Sequence, residues 1–299
     1  MNLHALKIFI IVAKHKSITL AANELLISQP AVTIQIRNLE KELDLKLIEG
    51  RGRGIQLTTA GEFISEQGQR LFRLEQNIEN KISDFKGGNI QLNISSSYIP
   101  INYVLPPLLA QYKLLHPDIF INVALGNVAN VEKQVLNYES DIGFVVRSNV
   151  GHEDLQFEEL MTIPFWFIVH PNHHLANTTI KLEDLSNEQI IFREKGSSTR
   201  DLLEAIFYSN NCSLPPIGIQ LQGLHESIKA VEAGYGATLA PSFSVSNEIK
   251  DKRIARVWVE GIEIIQSLYI CTRKIEVKTD PFITYIKAKL REDTAKVPL

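Results

Sequence analysis

Two runs of hydroxyl side chains lie where an apolar strand pattern gives way to a helical one. They are Ser95-Ser96-Ser97-Tyr98 ahead of Pro100, and Gly196-Ser197-Ser198-Thr199-Arg200 after Ile190-Ile191-Phe192-Arg193. The first amides of a helix have no partner inside it and carry a partial positive charge, so hydroxyls beside them suit a carboxylate, sulfate or phosphate. N-capping explains one serine at each place but not three. These runs are the candidates for contact with a small anionic ligand.

Other reactive groups carry less. His170, His173 and His174 are close in sequence, but they follow a strand pattern in a turn with no cysteine nearby. They read as a solvated loop, with no metal expected. Cys212 and Cys271 are the only cysteines, too few for a disulfide framework or a zinc site. They read as small apolar residues, a redox-sensing pair being the alternative. A serine nucleophile at Ser197 or Ser198 would need a base, and only His225 offers one. No Gly-x-Ser-x-Gly elbow is present. Neither an enzyme nor a cofactor is expected.

Near the N-terminus the residue types suit nucleic acid. Leu3, Leu6, Phe9, Ile10 and Ala13 give one apolar helix face. Ser17 is placed to cap a short helix, Ile18 to Leu26, in which Ala21 and Ala22 allow close packing. Ser28 can cap a third helix, with Pro30 tolerated in its first turn. Val32, Ile36, Leu39 and Leu43 form its buried stripe, and Gln29, Pro30, Thr33, Ile34 and Arg37 form the opposite face. Amide, hydroxyl, methyl and guanidinium groups so arranged suit base edges and phosphates, as in a helix-turn-helix. A plain three-helix bundle would share this pattern. The next segment, Glu49-Gly50-Arg51-Gly52-Arg53-Gly54-Ile55-Gln56-Leu57-Thr58, favours DNA, because it reads as a β-wing from which Arg51 and Arg53 reach phosphate or a narrow minor groove.

Charge is divided in the same sense. Residues 1–58 carry eight Lys/Arg against five Asp/Glu, while residues 87–299 carry 19 against 24. A basic head on an acidic body fits a nucleic-acid contact confined to one module. The alternative is a small-molecule-binding protein whose head makes only protein contacts.

The stretch from Leu3 to Gly61 resembles the DNA-binding head of LysR-type transcriptional regulators. The resemblance rests on Ala21-Ala22, Ser28-Gln29-Pro30-Ala31-Val32-Thr33, Ile36, Leu39-Glu40, Leu45, Leu47 and Leu57-Thr58-Thr59-Ala60-Gly61. It implies base-reading roles for Gln29, Pro30 and Thr33. The sequence departs from the family pattern at Ile34, where a basic residue is common, and at Gly50, where an arginine is. Ile34 and Thr33 are therefore expected to meet thymine methyls.

Between head and body, Thr59 and Glu62 have capping-box spacing, and Phe63, Leu71, Leu74, Ile78, Ile82 and Phe85 make an apolar stripe ending at Gly87-Gly88. At ~1.5 Å per residue this is a rod of about 40 Å. The stripe needs a partner, either the same helix of a second subunit or the chain's own body. The family resemblance implies a homodimer, commonly a homotetramer.

From Asn89 onward strand and helix patterns alternate, the mark of an α/β fold with largely parallel sheets. Expected strands are Ile90–Ser95, Phe120–Leu125, Asp141–Val146, Trp166–His170, Ile190–Phe192, Ile217–Leu221 and Thr238–Ala240. Expected helices are Val104–Leu115, Val131–Tyr138, Ser198–Tyr208 and His225–Ala233. Ligands in such folds bind beyond the carboxyl ends of the strands. This body resembles the LysR-type effector domain, most specifically at residues 193–200 and 232–237. That implies two lobes like a type II periplasmic binding protein, lobe I at about 89–161 and 267–299 and lobe II at about 162–266. The cleft would be lined by Ser96, Ser97, Ser197, Ser198, Thr199, Leu224 and His225, with Tyr98 and Ile99 setting specificity.

The expected organisation is a winged helix-turn-helix domain at 1–58, a linker helix at 59–88 and an effector domain at 89–299. With 44% hydrophobic and 22% charged residues among 299, the chain has ample core, and no run of roughly 18 residues is apolar enough throughout for a membrane span. A soluble, cytoplasmic regulator is expected. It would bind double-stranded DNA and a small effector, and contact RNA polymerase if it activates.

Overall fold

The computed structural model describes residues 1–51, 54–85, 90–148, 151–274 and 281–294. The chain divides into two compact units, residues 1–89 with 137–139, and the remainder. Among the described residues no helix is long and apolar enough to cross a membrane.

The first unit begins with α1 (Leu3–His15), α2 (Ile18–Leu25) and α3 (Gln29–Leu43). Each starts at a side-chain cap: Asn2 Oδ1 accepts from the His4 and Ala5 amides, Ser17 Oγ from Leu20, and Ser28 Oγ from Ala31. Leu6, Phe9, Val12, Ala21, Ala22, Val32, Ile36 and Leu39 are buried. Leu3, expected on the inner face of α1, is instead 51% exposed, because Ala5, Ile8 and Val12 complete that face. Strands β1 (Ile48–Arg51) and β2 (Gly54–Leu57) pair antiparallel as the wing. Gly52 and Arg53, expected at its tip, lie outside the described residues, as does the Arg51 side chain.

Glu40 joins α3 to the wing. Its buried carboxylate accepts from the Leu47 amide at 2.9 Å, the Ile48 amide at 3.4 Å and Lys46 Nζ at 3.0 Å. Those backbone donors hold its pKa below the ordinary glutamate range against the opposing effect of burial.

Helix α4 (Thr59–Phe85) follows. Its cap is Thr58 rather than Thr59: Thr58 Oγ1 accepts from the Gly61 amide at 3.0 Å and donates to the Lys46 carbonyl at 2.6 Å. The chain turns into the helix one residue earlier than the Thr59/Glu62 spacing suggested. Ala60, Ile64 and Phe72 pack on the head core, while Phe63, Leu71, Ile78 and Ile82 stay exposed and Leu74 is half-buried. The helix thus has two apolar faces, one spent on the head. The Phe85 side chain and Gly87-Gly88 lie outside the described residues.

The second unit is one mixed sheet with helices around it. Its central path runs β4 (Phe120–Leu125), β3 (Gln91–Ser96), β5 (Ile142–Arg147), β12 (Ile265–Arg273), β6 (Leu155–Val169), β10 (Ala237–Pro241), β8 (Ile190–Arg193) and β9 (Ile217–Leu221). Off this path, β11 (Ala255–Val259) pairs with β6, and β7 (Thr179–Ile180) pairs with β11. The β3–β4, β3–β5, β8–β9 and β8–β10 pairs are parallel. β12 and β6 run antiparallel to their neighbours and join the two halves. The 15-residue β6 was expected only at its last third, since Gln156, Glu158, Glu159 and Thr162 interrupt its apolar pattern.

The helices between strands are α5 (Leu105–Leu115), α6 (Val128–Leu136), α7 (Leu182–Leu185), α8 (Ser198–Ser209), α9 (Leu224–Glu232) and α10 (Ser246–Lys250), with α11 (Pro281–Thr294) last. A π-helical turn, Pro100–Val104, leads into α5. One large core, including Phe144, Phe167, Phe192, Phe207 and Phe282, runs through both halves. Burial of a side chain of this kind stabilises by about 1.5–3 kcal/mol.

Candidate effector cleft and DNA-binding helix

The carboxyl ends of β3, β4, β8 and β9 face one cavity of about 310 Å³, at the small end of ligand pockets. Its walls are Ser97, Tyr98 and Ile99 after β3, residues 125–128 after β4, Arg193 to Thr199 except Lys195, and Gln222 after β9. Of the residues proposed from sequence, Ser97, Tyr98, Ile99, Ser197, Ser198 and Thr199 come together here. Asn127, Arg193, Glu194 and Gln222 were missed as lining. Each follows a parallel strand directly, which is the signal that could have found them.

The start of α8 is the polar end of the cavity. Ser197 occupies the N-cap position but makes no side-chain cap bond. Thr199, 2% exposed, has no hydrogen-bond partner for its Oγ1. A buried hydroxyl left unpaired costs about 1–3 kcal/mol, so a site that keeps one is built for something that pairs it. Gly196, at φ +85, makes the left-handed turn that brings Ser197 to the helix start.

Two arginines flank this end, each paired with a glutamate. Arg193 donates from Nε and Nη2 to Glu194 at 2.9 and 3.0 Å, and from Nη2 to the Gln222 carbonyl at 2.8 Å. Its guanidinium stacks 5.0 Å from the centre of the Tyr98 ring. Arg200 donates to Glu204, the Arg193 carbonyl and Gln220. Nearby Tyr103 has its hydroxyl pushed up to about 12, by burial first and by Tyr98 and Glu248 next, and stays a neutral donor.

Three residues proposed for the cleft lie elsewhere. Ser96 is fully buried and donates to the Ser97 carbonyl at 2.9 Å, its hydroxyl consumed by the turn. Leu224 is fully buried in the core beneath α9. His225 is exposed on the outer side of that helix and does not line the cavity. The α9 N-terminus is occupied by its own chain, for the Glu226 carboxylate folds back over Gly223 where any Cβ would collide with it.

The histidines form a cluster after all. His173 and His174 stack at 4.5 Å, and their Nε2 atoms approach Glu188 at 3.4 and 3.0 Å. His173 Nδ1 accepts from the Leu175 amide at 3.3 Å, which puts the ring proton on Nε2 facing Glu188. Burial lowers the His173 pKa. Neutral His173 in that tautomer offers no lone pair to a metal.

The cysteines sit in separate places. Cys271 is fully buried on β12 beside Val135 and Leu155, its thiol pushed up to about 12 by burial. Cys212, beyond α8, donates to the Asn210 carbonyl, and its pKa is raised by desolvation and by Glu183. Thiols held protonated are poor redox sensors, and this removes the support for a redox-responsive pair.

In the head, Gln29, Pro30, Ile34 and Arg37 are exposed along one side of α3, with Ile34 at 55%. Ser28 spends its hydroxyl on the Ala31 amide, and Thr33 donates its hydroxyl to the Gln29 carbonyl at 2.9 Å, which leaves the Thr33 methyl as its free group.

Known proteins share both units. Residues 3–62 match the family model for the bacterial regulatory helix-turn-helix protein, lysR family, and residues 86–291 match the LysR substrate binding domain. The chain is 30% identical over 280 residues to the RuBisCO operon transcriptional regulator of Allochromatium vinosum, spanning 92% of this chain and 90% of that one. It is 29% identical over 305 residues to the HTH-type transcriptional regulator CysL of Bacillus subtilis, spanning 99% and 100%. Its fold is similar to that of CbnR, a LysR family transcriptional regulator (TM-score 0.67, 22% identity, 98% of this chain and 99% of that one). The regulatory domain of Synechocystis CcmR, solved with 2-PG, has a TM-score of 0.61 at 20% identity over 70% of this chain and 99% of that one. With both domains matched and relatives aligned along nearly its whole length, the chain belongs to the LysR family and is a DNA-binding transcriptional regulator with a small-molecule effector domain.

Proposed function

We propose that this regulator is controlled by a small anion that binds between the two halves of the effector domain, at the open start of α8. The observation that carries the reading is Thr199 Oγ1, buried without a partner at a cavity whose adjacent N-cap serine is also uncommitted. The anion takes the free first-turn amides and the Thr199 hydroxyl, and the cavity walls take its body. Tyr98 and Ile99 belong to one half of the sheet and Ser197 to Thr199 to the other, so the ligand bridges them. It shifts their geometry by its differential affinity for the two arrangements. Thr199→Ala removes the effect of ligand on DNA binding and leaves ligand-free DNA binding unchanged in a gel-shift assay. Loss of both would sink the reading.

On DNA, α3 enters the major groove with Gln29, Pro30, Thr33, Ile34 and Arg37 as its reading face, and Arg51 and Arg53 reach phosphate from the wing. Ile34 and the free Thr33 methyl favour thymine, at ~1 kcal/mol per contact. Ile34→Arg changes the preferred site in a randomised-site selection, and an unchanged site would refute that role. The exposed face of α4 pairs with the same helix of a second subunit, giving a dimer with two heads about 34 Å apart on DNA. A regulator of this kind works in the cytoplasm.

A further inference from the structure

Resting on the cleft reading above, we infer that the effector is a monocarboxylate with an apolar body, and that Glu194 is the residue that excludes dianions. Arg193 and Glu194 are the charged side chains lining the cavity, and they cancel. Arg193 Nε and Nη2 are closed bidentately on Glu194, Nη2 also donates to the Gln222 carbonyl, and the Tyr98 ring lies against the guanidinium, so the Arg193 charge is neutralised within the wall. Arg200, buried beside the same turn, is committed to Glu204, Gln220 and the Arg193 carbonyl. No cationic side chain of the cavity wall is left without a carboxylate partner.

What remains for a negative charge is the start of α8. A helix of 12 residues presents there roughly half a unit of positive charge, together with first-turn amides and the unpaired Thr199 hydroxyl. That set balances a single carboxylate. A second negative charge on the ligand would sit in a small cavity with the Glu194 carboxylate and no free cation, and like charges confined together are repelled more strongly than in water. Ile99, Leu125, Val128 and the Tyr98 ring offer hydrocarbon, and the side chains of Asn127 and Gln222 offer only neutral amides. A second phosphate or carboxylate would be stripped of water there with only neutral amides in replacement, whereas an aromatic or branched aliphatic body would gain.

Glu194 follows as a specificity residue. With a neutral amide in its place, Arg193 keeps a hydrogen-bonding neighbour but recovers its net charge, and the cavity becomes positive.

The test is calorimetric titration of the intact protein, its Glu194→Gln variant and its Thr199→Val variant. The probes are benzoate and 4-methylpentanoate on one side, and inorganic phosphate, sulfate and succinate on the other. Saturable binding of a monocarboxylate at least tenfold tighter than any dianion, abolished in Thr199→Val, is the expected result. Glu194→Gln should strengthen the best dianion at least tenfold and the monocarboxylate by a clearly smaller factor, so that the preference for the monocarboxylate narrows. A dianion that binds the wild type more tightly than either monocarboxylate, and is lost in Thr199→Val, overturns the ligand class and leaves the cleft reading standing. Binding indifferent to Thr199→Val, or no saturable binding of any probe to a protein shown to be folded by circular dichroism, overturns the cleft reading itself. Because Thr199→Val is nearly isosteric, a companion Ser198→Ala variant guards against a packing artefact and should weaken the monocarboxylate in the same direction.

Discussion

Helices α8 and α9 begin alike, each beyond a parallel strand in the same half of the effector domain, yet one leaves its first turn open and the other closes it. In α9 the third helical residue is Glu226, whose carboxylate folds back over Gly223, and Ser227 donates to the Gly223 carbonyl at 2.9 Å. In α8 the third helical residue is Arg200, which turns away to Glu204 and Gln220, and the acid, Asp201, comes one place later. The difference teaches where to look for a ligand: not at the helix start richest in polar residues, but at the one whose own chain has not satisfied it.

The strongest way to break the comparison is to remove what holds α8 in place. Arg200→Met takes away a nearly buried guanidinium that ties α8 to β8 and β9, and strands the side chains of Gln220 and Glu204. About 3 kcal/mol of effector-domain stability should be lost. Urea unfolding followed by tryptophan fluorescence reads it, since Trp166 and Trp258, the two tryptophans of the chain, both lie in this domain. A loss below 1 kcal/mol would mean that α8 is held mainly by its apolar face.

Next comes a change of opposite sign. Thr199→Val replaces an unpaired buried hydroxyl with a methyl of similar shape, so the ligand-free protein should become more stable, by about 1 kcal/mol. At α9 the corresponding test is Glu226→Ala, which opens a closed helix start and should cost about 1 kcal/mol, as cap removals do. If the two variants shift the urea midpoint in the same direction, the two helix starts do not differ in the way described.

Much of this was legible in residue order. The limits of β4 and β9 came directly from apolar runs bounded by turn residues, and the start of α8 from Ser197-Ser198 after a strand. The loop-to-helix junction at Gly223 puts Leu224 and His225 in the cleft on sequence alone, and the structure does not, because Leu224 turns into the core and the Glu226 carboxylate covers Gly223. Ser96 failed for a different reason. Three consecutive serines at a strand end alternate in direction, and the turn consumes one hydroxyl, which spacing alone does not reveal. The ion pair of Arg193 with Glu194 joins sequence neighbours, whereas the stacking of Arg193 on Tyr98 depends on strands about one hundred residues apart in sequence meeting at the cavity, and no local pattern carries that. The same holds for β12 and the first two-thirds of β6, where polar residues on one face conceal a strand that crosses both halves.

The smallest effect extends the comparison to the head, where the Glu40 carboxylate folds onto its own backbone as Glu226 does at α9, but from inside the core and with hydrogen bonds to the Leu47 and Ile48 amides. Because the Leu47 and Ile48 amides and Lys46 favour the ionised form, the folded-state pKa lies below that of the unfolded chain. The stabilisation is therefore fully present above the ordinary glutamate value of about 4.3, and is lost as pH falls through the lower folded value. Glu40→Gln keeps one acceptor and loses the charge, costing about 0.5 kcal/mol at neutral pH. It should also flatten the decline in Leu47 amide protection that the wild type shows between about pH 5 and pH 3, after correction for intrinsic exchange. An equally steep decline in both proteins would mean that another carboxylate ties α3 to the wing. A decline absent from both would mean that the Leu47 amide is protected by packing alone, and that the two glutamates are not doing comparable work.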